Sequence, residues 1–507
     1  MTTSSSERSS AIGPSETLDP QNWDALREQG HRMLDDIIDA IANIRKQPVW
    51  RPIPDEVRAR FRAEIPRESG DLGEIYREYS DFIAPYATGN VHPGFMGWVH
   101  GGGNVVGVLA EMLAAGLNAN LGGRDHMPIE VERQITEWTR KMFGFPPTAS
   151  GIFVTGTSMA NLMAVWVART AALGQGARRH GLGGEGALLT AYTSTAAHGC
   201  ISKAMDLAGF GTDALRSMPV DRSHRVDLEA MRTQIKRDRE IGLRPFLVVG
   251  SAGTVDAGAI DDLAGLSALC REEQLWFHVD GAYGAFGVLS PALAPRLAGL
   301  ENADSVALDF HKWVQVPYDA GFLLVRDSAR HLEAFAAPAV YLRRETRGLA
   351  AGSPWPCDLG PDLSRGFRAL KTWFTLKTFG TDKLGAMIER TCALARYLEA
   401  RVSAEPGLEL LAPAQLNIVC FRYRSEDADR LNSEIVVDIQ ESGIAAPSTT
   451  MLDGKLAIRA AIVNHRTDMI DLDALVAAVL EFGARRSPGN TVIPCESGEA
   501  SIPEQSR

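Results

Sequence analysis

Lys312 lies between a short apolar run, Val306–Leu308, and the loop-forming residues Pro317–Gly321. Such a run is typical of a central strand in a parallel sheet, and open α/β sheets keep their chemistry just beyond the strand ends. We expect a lysine held there with little water to lose part of its preference for the charged form, which lowers its pKa. Its neutral amine could then form a Schiff base with a carbonyl compound. The alternative is a surface lysine in a loop.

Asp280 ends a second strand-like segment, which begins at Leu275, and small residues follow it. A carboxylate at this position could pair with a protonated ring nitrogen, and Ala282 leaves room for a flat ring. Asp280 precedes Lys312 by 32 residues, so one strand and its connection separate them. Adjacent strand ends could therefore place both side chains on one ligand. The alternative for Asp280 is a helix cap or a turn.

Thr155–Asn161 has the composition of a loop that leads from a strand into a helix. Free N–H groups and the positive end of the helix dipole favour an anion at such a point, and Thr157 or Ser158 could donate to phosphate oxygens. The segment is neither a P-loop nor a dinucleotide-binding fingerprint. The alternative is an ordinary helix cap formed by Ser158.

His198 follows a predicted strand and stands near the start of a helix. A histidine there could lie flat on an aromatic cofactor, or it could be a structural histidine with satisfied hydrogen bonds. Ser251–Gly258 is a polar loop of small residues after the next predicted strand, and it could complete the same pocket or form a plain turn.

Alternating strands and helices position these residues. Short apolar runs alternate with helical stretches between residues 150 and 330, which predicts a mainly parallel α/β sheet. The predicted strands are Ile152–Thr155, Ala187–Ala191, Phe246–Gly250, Leu275–Val279, Ser305–Leu308 and Phe322–Val325. The predicted helices are Met159–Ala172, Ala197–Leu207, Leu228–Arg239 and Leu263–Glu273. The candidate residues thus fall, in order, on consecutive strand ends of one sheet.

Helical periodicity also covers both flanks of this sheet. Helices are predicted before it at Trp23–Asn43, Ile75–Phe82, Val105–Leu117 and Pro128–Phe143. After it come a helix at Phe367–Val402, a strand at Asn417–Tyr423, a helix at Ala428–Glu441, a strand at Leu456–Ile462 and a helix at Leu472–Phe482. The later group indicates a smaller α+β domain. Val91–Gly103 is a Gly-rich segment with large side chains, which could line a pocket or pack as core.

The composition excludes several classes of protein. The chain has 507 residues and a net charge of −11, which argues against nucleic acid as a main partner. We find no apolar run long enough to span a bilayer and no apolar signal core in the polar N-terminus, so no membrane association is expected. The six cysteines are scattered without metal-type spacing. They indicate reduced thiols in the cytoplasm, and no metal site is predicted.

The motifs resemble those of the group II PLP-dependent decarboxylases, the family of aromatic-L-amino-acid, histidine and glutamate decarboxylases. The resemblance covers about residues 70–480 and is most specific at His278–Tyr283, His311–Trp313, Val340–Leu342 and Ser364–Lys371. It implies pyridoxal 5'-phosphate (PLP) as cofactor and fold type I, the α/β fold of aspartate aminotransferase. It also implies a homodimer with its active sites at the subunit interface.

Five segments are expected on this basis. They are a disordered N-terminus (1–20), an N-terminal helical segment that packs on the partner subunit (21–95), a large PLP-binding domain with a mainly parallel sheet (96–385), a small α+β C-terminal domain (386–485) and a flexible tail (486–507).

The resemblance also implies roles for single residues. Lys312 would be the Schiff-base lysine, and Asp280 would partner the pyridine nitrogen, because a protonated pyridine is the better electron sink. His198 would stack on the ring, Ala282 would lie beneath it, and Thr254 would lie near the 3-hydroxyl group. The implied phosphate contacts are Thr157, Ser158, His311 and Asp309, although the aromatic decarboxylases usually have asparagine in place of Asp309.

Tyr341 precedes a charged, Gly-rich stretch, residues 343–353, which is typical of a mobile loop. In the decarboxylases a tyrosine on such a loop closes over the neighbouring subunit's site and protonates the substrate's α-carbon. Related aldehyde synthases have phenylalanine there. The resemblance therefore implies that Tyr341 favours simple decarboxylation.

The expected function is PLP-dependent decarboxylation of an L-amino acid to its amine and carbon dioxide. The large, partly apolar pocket candidates favour an aromatic substrate; they are Phe95, Met96, Trp98 and His100. The alternative is an acidic or other small amino acid, with a cation supplied by Arg124, Arg343 or Arg459. Two rivals are another fold type I activity (aldehyde synthase, transaminase or carbon–carbon lyase) and a non-catalytic scaffold of the same fold.

Overall fold

The structure is a computed structural model that describes residues 17–336 and 344–486. Residues 1–16, 337–343 and 487–507 lie outside the described part, and with them Tyr341 and most of the two terminal segments for which disorder is predicted. The chain divides into two compact units. One comprises residues 1–44 and 54–85, and the other comprises residues 45–53 and 86–507.

The smaller unit contains three helices in its described residues: α1 (Trp23–Ala42), α2 (Asp55–Arg60) and α3 (Leu72–Phe82). α1 begins where the side chain of Asn22 accepts two backbone N–H groups, and the side chain of Asp71 caps α3 by accepting the N–H of Glu74. The hydroxyl of Tyr76 donates to Asp36 at 2.8 Å, which ties α3 to α1. The two helices predicted in this part of the chain are confirmed.

The larger unit contains two sheets and the helices that cover them. Its strands are β1 (Phe95–Met96), β2 (Ser150–Val154), β3 (Leu189–Ser194), β4 (Leu215–Met218), β5 (Arg244–Ser251), β6 (Trp276–Asp280), β7 (Ser305–Asp309), β8 (Gly321–Val325), β9 (Leu408–Ala412), β10 (Ile418–Tyr423), β11 (Ala446–Leu452) and β12 (Lys455–Ala461). Its helices are α4 (Val105–Leu117), α5 (Met127–Met142), α6 (Thr157–Leu173), α7 (Gly176–His180), α8 (Gly183–Gly186), α9 (Cys200–Leu207), α10 (Leu228–Glu240), α11 (Leu263–Glu273), α12 (Ser328–Phe335), α13 (Arg368–Ala404), α14 (Ala428–Ser442) and α15 (Met469–Arg486). None of the helices described has the length and apolar character needed to cross a membrane.

The large sheet has seven strands in the order β2-β8-β7-β6-β5-β3-β4. The strands from β7 to β4 are parallel, whereas β8 is antiparallel to both of its neighbours. The mainly parallel sheet and all six predicted strands are thereby confirmed. β4 is absent from the prediction because its four residues include Arg216 and Ser217 and so contain no apolar run.

The apolar run in β7 follows from its central position. Val306 and Leu308 pack into a core cluster on one face of the sheet, and Ala307 packs into a different cluster on the other. All three are 0% exposed, as expected for a strand that is covered on both sides. Because β2 and β7 are both antiparallel to β8, they run in the same direction. The ends of β2, β3, β5, β6 and β7 therefore meet at one edge of the sheet.

A buried ion pair holds β2 in place. Glu132 of α5 and Arg365 lie 2.6 Å apart and are almost fully buried. Arg365 also donates to the carbonyl oxygen of Phe153 at 2.9 Å, and Glu132 accepts the N–H of Phe153 at 3.2 Å. Removing one partner of such a pair costs about 3–5 kcal/mol, because the other charge stays buried. The pair therefore fixes the strand whose end leads into α6.

The second sheet has five strands in the order β1-β11-β12-β10-β9. The predicted strands Asn417–Tyr423 and Leu456–Ile462 are confirmed as β10 and β12. Val91–Gly103 is not wholly a loop, as the sequence suggested, since Phe95 and Met96 pair in parallel with β11. Two residues are too few to show a strand period, which is why the composition alone indicated a loop.

The long helix α13 is interrupted once. The sequence predicts continuous helical periodicity from Phe367 to Val402, and the helix spans Arg368–Ala404. Gly380 adopts a φ of 70°, outside the helical region, and kinks it. Glycine is the residue that reaches this conformation without a steric penalty.

Candidate active site

A cavity of about 360 Å³ opens at the edge where the ends of β2, β3, β5, β6 and β7 meet. Most of the residues singled out in the sequence line it; they are Thr157, Ser158, His198, Thr254, Asp280, Ala282, Asp309, His311, Lys312, Trp98 and His100. Phe95 is buried and does not line the cavity, and Tyr341 lies outside the described residues. The topology thus brings together side chains that are up to 214 residues apart in sequence, from Trp98 to Lys312.

Lys312 stands three residues beyond Asp309, the last residue of β7. Its side chain is 23% exposed, and its Nζ lies 3.0 Å from Oδ2 of Asp309. Burial disfavours the ammonium ion, but the charge of Asp309 and the hydrogen bond to it outweigh burial, so the pKa of Lys312 is raised. The expectation of a lowered pKa is therefore wrong, because the apolar strand ends in an acid. The amine must lose a proton before it can attack a carbonyl carbon.

Asp309 joins the end of β7 to the start of α6. Its Oδ1 accepts the N–H of Thr157 at 2.8 Å, and its Oδ2 accepts the Thr157 hydroxyl. Burial acts to raise the pKa of Asp309, but Lys312, His311 and the Thr157 hydroxyl together lower it, so the carboxylate is charged. Both Thr157 donors are directed at Asp309. The anion that they hold in this structure is therefore a carboxylate of the protein itself.

The start of α6 is not capped by its own N-cap residue. Gly156 is the N-cap residue, and no side-chain cap hydrogen bond forms there. Ser158 is therefore not a cap, and it lines the cavity. The N–H of Thr157 donates to Asp309, and the N–H groups of Met159 and Ala160 donate to the Gly156 carbonyl oxygen. What this 17-residue helix presents to the cavity is therefore chiefly the positive end of its dipole.

His311 supplies a neutral donor beside the start of α6. Its Nδ1 accepts the N–H of Ala320 at 3.0 Å, so the neutral ring carries its proton on Nε2. Burial, partly offset by Asp309, lowers the pKa of His311 to about 4. The ring is therefore neutral near pH 7, and its 3.7 Å approach to Asp309 is not an ion pair.

Asp280 ends β6 and is 7% exposed. Its Oδ2 accepts the side-chain amide of Asn161 at 3.1 Å, and its Oδ1 accepts the N–H of Ala282 at 3.2 Å. Burial raises the pKa of Asp280, although the nearby charge of Lys312 and the accepted hydrogen bonds favour the charged form. A buried carboxylate held by two donors is suited to pair with a protonated ring nitrogen.

Two loops supply further polar groups. Nδ1 of His198 accepts the N–H of Cys200 at 3.1 Å, which fixes the imidazole ring between β3 and α9. In the loop after β5, Oγ1 of Thr254 accepts the N–H of Ala259 at 3.0 Å. The hydroxyl hydrogen of Thr254 therefore remains available to a group in the cavity.

Aromatic rings form one wall of the cavity. The ring centroid of His100 lies 5.7 Å from those of Phe95 and Trp98, with the planes inclined by 11° and 25°. Burial, followed by the charge of Lys312, lowers the pKa of His100, so this ring is neutral as well. Gly101 lets the wall approach the lysine, since a Cβ at Gly101 would overlap the carbonyl oxygens of His311 and Lys312.

The sequence analysis gave no role to Tyr318, which completes this wall. Its ring centroid lies 4.3 Å from that of His311 and 6.1 Å from that of His100. Lys371 donates to the carbonyl oxygen of Tyr318 at 3.0 Å, so α13 holds the connection between β7 and β8. Lys371 belongs to the segment Ser364–Lys371 that carries the family resemblance. That segment was the signal in the sequence that could have led to Tyr318.

Asn161 and Cys200 also escaped the sequence analysis. Asn161 lies one turn into α6, and its amide nitrogen contacts Asp280 and, at 3.2 Å, Sγ of Cys200. Burial, followed by the charge of Asp280, raises the pKa of Cys200 to about 12, so this group is a neutral thiol. Asn161 was visible only as the last residue of the segment Thr155–Asn161, and helical periodicity cannot tell which partner an amide will meet.

Comparisons with known proteins identify the family and the fold. A family model described as pyridoxal-dependent decarboxylase conserved domain matches residues 54–424. Aromatic-L-amino-acid decarboxylase of Bacillus atrophaeus is 34% identical over 470 residues, which cover 90% of this chain and 95% of that protein. L-2,4-diaminobutyrate decarboxylase of Rhizobium meliloti (strain 1021) is 32% identical over 382 residues, covering 74% of this chain and 75% of that protein. The structure of Oryza sativa TDC with PLP and tryptamine superposes with a TM-score of 0.83 at 25% identity, covering 92% of this chain and 99% of that one.

Proposed function

The chain belongs to the pyridoxal-dependent decarboxylase family and is a PLP-dependent amino acid decarboxylase, and from this premise we propose that Lys312 carries the cofactor and that the substrate is an aromatic L-amino acid. The observation that carries the proposal is the convergence of Lys312, Asp280 and an aromatic wall on one cavity. Fold type I underlies this arrangement: the large sheet places both charged residues at the ends of neighbouring strands, β7 and β6.

The donor set of the cavity fits PLP. Lys312 offers an amine for the aldehyde carbon, and Asp280 offers a buried carboxylate for the ring nitrogen. The positive end of the α6 dipole, with Ser158 and the neutral donor of His311, suits the phosphate group. In this proposal Asp309 orders Thr157 and holds the Lys312 ammonium ion. Ala282 would leave space on one face of the ring, and His198 would stack on the other.

PLP joined to the substrate's amine would supply an electron sink for the negative charge left on the α-carbon when carbon dioxide departs. Asp280 would keep the ring nitrogen protonated. Lys312 would hold the cofactor, and Asp309, 3.0 Å from the Lys312 amine, would accept a hydrogen bond from the lysine ammonium ion whenever the cofactor is not bound to it. We assign the final proton to Tyr341, on the resemblance to the decarboxylases, and Tyr341 lies outside the described residues.

Support for an aromatic substrate comes from the wall of the cavity. His100 and Trp98 present flat, uncharged faces, and the buried ring of Phe95 stacks behind His100. Stacked aromatic pairs of this kind contribute about 0.5–1.5 kcal/mol beyond the area they bury. A substrate ring placed against this wall would gain free energy both from stacking and from the apolar area that it buries.

One observation favours an acidic substrate instead. Arg459 is 2% exposed, and its Nη1 donates to the carbonyl oxygen of Trp98 at 3.1 Å and to Ser448 at 3.2 Å. Its Nη2 has no hydrogen-bond partner within residues 17–336 and 344–486. A substrate carboxylate would have to reach this buried nitrogen, although Arg459 does not line the cavity. Of the other two candidate cations, Arg124 is exposed and stacks on Trp355 at 4.7 Å, and Arg343 lies outside the described residues.

A screen of amine release over the common amino acids tests the substrate class. We expect kcat/KM for tyrosine, tryptophan or DOPA to exceed that for glutamate by at least about a hundredfold, because a charged carboxylate would be desolvated against uncharged rings. Carbon dioxide and amine should form in equal amounts, without ammonia, peroxide or keto acid. Activity confined to glutamate, aspartate or diaminobutyrate would overturn the aromatic assignment, and keto acid would indicate a transaminase.

A His100→Ala variant sharpens this test. It should lower kcat/KM for the aromatic substrate about tenfold, mainly through KM, and leave the affinity for PLP unchanged. If it weakens PLP binding as much as substrate binding, His100 belongs to the cofactor site and not to the substrate wall.

We also propose a homodimer that shares its active sites. α1 and α3 have no fully buried residue, and they leave large apolar side chains exposed. α4 of the larger unit also exposes large apolar side chains, those of Met112, Leu113 and Leu117. A second copy of the chain is the partner that the family resemblance implies, and it would cover these surfaces.

Hybrid dimers test the shared site. We expect Lys312→Ala alone to form no amine and Tyr341→Phe alone to release aldehyde, with oxygen consumed and ammonia and peroxide formed. A doubly tagged hybrid of the two variants should form amine at about half the wild-type rate, because one of its two sites joins an intact Lys312 to the partner's intact Tyr341. Amine release is measured beside peroxide. A hybrid that releases only aldehyde would show that both residues act within one subunit.

The proposal includes a cytoplasmic location. The five cysteines within the described residues are all unpaired; they are Cys200, Cys270, Cys357, Cys392 and Cys420. Free thiols in this number are typical of proteins in a reducing compartment.

A further inference from the structure

A chain of hydrogen bonds runs behind the cavity from Trp276 to Asp280. Trp276 Nε1 lies 2.9 Å from Ser305 Oγ, and Ser305 Oγ lies 2.8 Å from His278 Nδ1. His278 Nε2 lies 2.7 Å from Asn161 Oδ1, and Asn161 Nδ2 lies 3.1 Å from Asp280 Oδ2. The chain joins β6, β7 and α6, and the sequence singled out none of its three middle members for a role.

The Asp280 end of this chain fixes its direction. The Asp280 carboxylate can only accept, so Asn161 must turn its NH₂ group to Asp280 and its oxygen to His278. Nε2 of the neutral His278 ring therefore carries the proton, and its Nδ1 carries none. The Ser305 hydroxyl then donates to Nδ1 and accepts the indole N–H of Trp276, which can only donate. The Ser305 carbonyl oxygen, 3.1 Å from Nδ1, consequently receives no hydrogen bond from the ring.

Burial preserves the direction of these hydrogen bonds. Ser305, His278 and Asn161 are each 0% exposed, so water cannot replace a lost partner. Burial lowers the pKa of His278 to about 4, which keeps the ring neutral and preserves its single N–H. The chain is thus a set of donors that all point towards one carboxylate.

The thiol of Cys200 reinforces the end of the chain. Its Sγ lies 3.9 Å from Oδ2 of Asp280 and 3.2 Å from Nδ2 of Asn161. The other carboxylate oxygen accepts the N–H of Ala282 at 3.2 Å. Asp280 also faces the charged Lys312 and the ring of His198. Of the side chains that donate to Asp280, Asn161 is the one whose orientation the rest of the chain determines.

We propose that Asn161, oriented by His278 and Ser305, is a positioning residue that keeps Asp280 ionised and so keeps the shared proton on the ring nitrogen of the cofactor. The proposal rests on the assignment of Asp280 to that nitrogen. A buried carboxylate that loses a donor binds a proton more tightly. Without Asn161 the proton would pass from the ring nitrogen to Asp280, and a neutral ring would draw less charge from the α-carbon.

The test is a nitrogen-15 NMR measurement on the holoenzyme reconstituted with PLP labelled at the ring nitrogen. In the wild type we expect the chemical shift of a protonated ring between about pH 6 and about pH 9. In Asn161→Ala the shift should move towards that of neutral pyridine, with the proton equilibrium changed by about tenfold or more, as expected for one lost hydrogen bond to a charged group. kcat should fall about tenfold with KM within about twofold. An Asn161→Ala holoenzyme with the wild-type shift at every pH would overturn the proposal.

Two variants of His278 keep the test decisive if Asn161→Ala folds poorly. His278→Gln places an amide donor near the position of Nε2 and should retain the wild-type shift. His278→Leu removes that donor and should move the shift in the same direction as Asn161→Ala. Equal shifts for the two His278 variants would contradict the proposed orientation of Asn161.

A matched control separates this effect from a loss of stability. Tyr192 lies in β3 of the same sheet, and Tyr192→Phe removes its buried hydrogen bond of 2.7 Å to Asp238 of α10. It should lower the melting temperature without changing the nitrogen-15 shift. Asp280→Ala identifies which premise fails. If Asp280→Ala leaves the shift unchanged, the site assignment itself is wrong; if it moves the shift and Asn161→Ala does not, only the role of Asn161 is wrong.

Discussion

Replacing Lys312 by alanine should abolish amine formation, with kcat/KM reduced by at least about a thousandfold, or about 4 kcal/mol of transition-state stabilisation. The reason is that Lys312 and Asp280 line one cavity, in which a cofactor aldehyde would meet the amine of Lys312. The dialysed variant should also lose the cofactor absorbance above 400 nm, and borohydride should no longer fix PLP to the chain. Amine release, absorbance and peptide mass spectrometry after borohydride treatment measure these three effects.

The exposed Lys203→Ala variant is the control, and it should keep wild-type activity and labelling. Lys312→Ala also leaves the buried carboxylate of Asp309 without its ammonium partner, which should reduce stability by about 1–3 kcal/mol. Adding Asp309→Asn should restore stability without restoring activity. Borohydride labelling that persists at another lysine in Lys312→Ala would refute the assignment of the cofactor lysine.

Replacing Asp280 by asparagine should lower kcat by about a hundredfold or more, equivalent to about 3 kcal/mol, because a neutral amide cannot hold the ring proton. The side chains are nearly the same size, so KM should change far less than kcat. Steady-state kinetics on the PLP-saturated variant give this split. A kcat within about threefold of the wild type would show that Asp280 does not tune the cofactor ring.

The same variant has an opposite effect on the protein without cofactor. The pKa of Asp280 is raised by folding, so the stability it contributes is present below the unfolded pKa and is lost as the pH rises. Asp280→Asn should therefore raise the melting temperature of the apoprotein near pH 7 and have little effect below about pH 4. Asp304→Asn is a matched control, since Asp304 is another largely buried carboxylate and accepts the N–H of Phe277 at 2.8 Å, next to β6. It should leave kcat within about threefold of the wild type.

Much of the large sheet was predictable because its strands are apolar on both faces. Residues such as Val306 and Leu308 form runs that no exposed element would carry. β4 has two polar residues in its centre, and β9 has one polar residue and is half-buried over its three central residues, so neither shows a fully buried apolar run. β1 is defined only by its pairing with β11, a contact between Phe95 and Ala446 that local sequence cannot specify.

The sequence predicted which residues line the candidate site better than it predicted their pKa values. Lys312, Asp280 and His198 could be located because each follows a predicted strand of one sheet. The raised pKa of Lys312 could not be predicted, because it depends on the 3.0 Å contact with Asp309 and not on burial alone. Asn161 and Tyr318 were missed for a related reason: their roles depend on which neighbours the fold supplies from distant parts of the chain.

The two sheets of the larger unit divide the candidate site between them. Trp98 and His100 follow β1, which is hydrogen-bonded to β11 of the second sheet, whereas Lys312 and Asp280 end strands of the large sheet. Substitutions in β11 can therefore shift the wall without touching the residues assigned to the cofactor. Substitutions in the second sheet could therefore change the substrate during evolution. The large sheet would keep the residues that carry out the reaction. Laboratory evolution of selectivity should accordingly begin with residues 446–452.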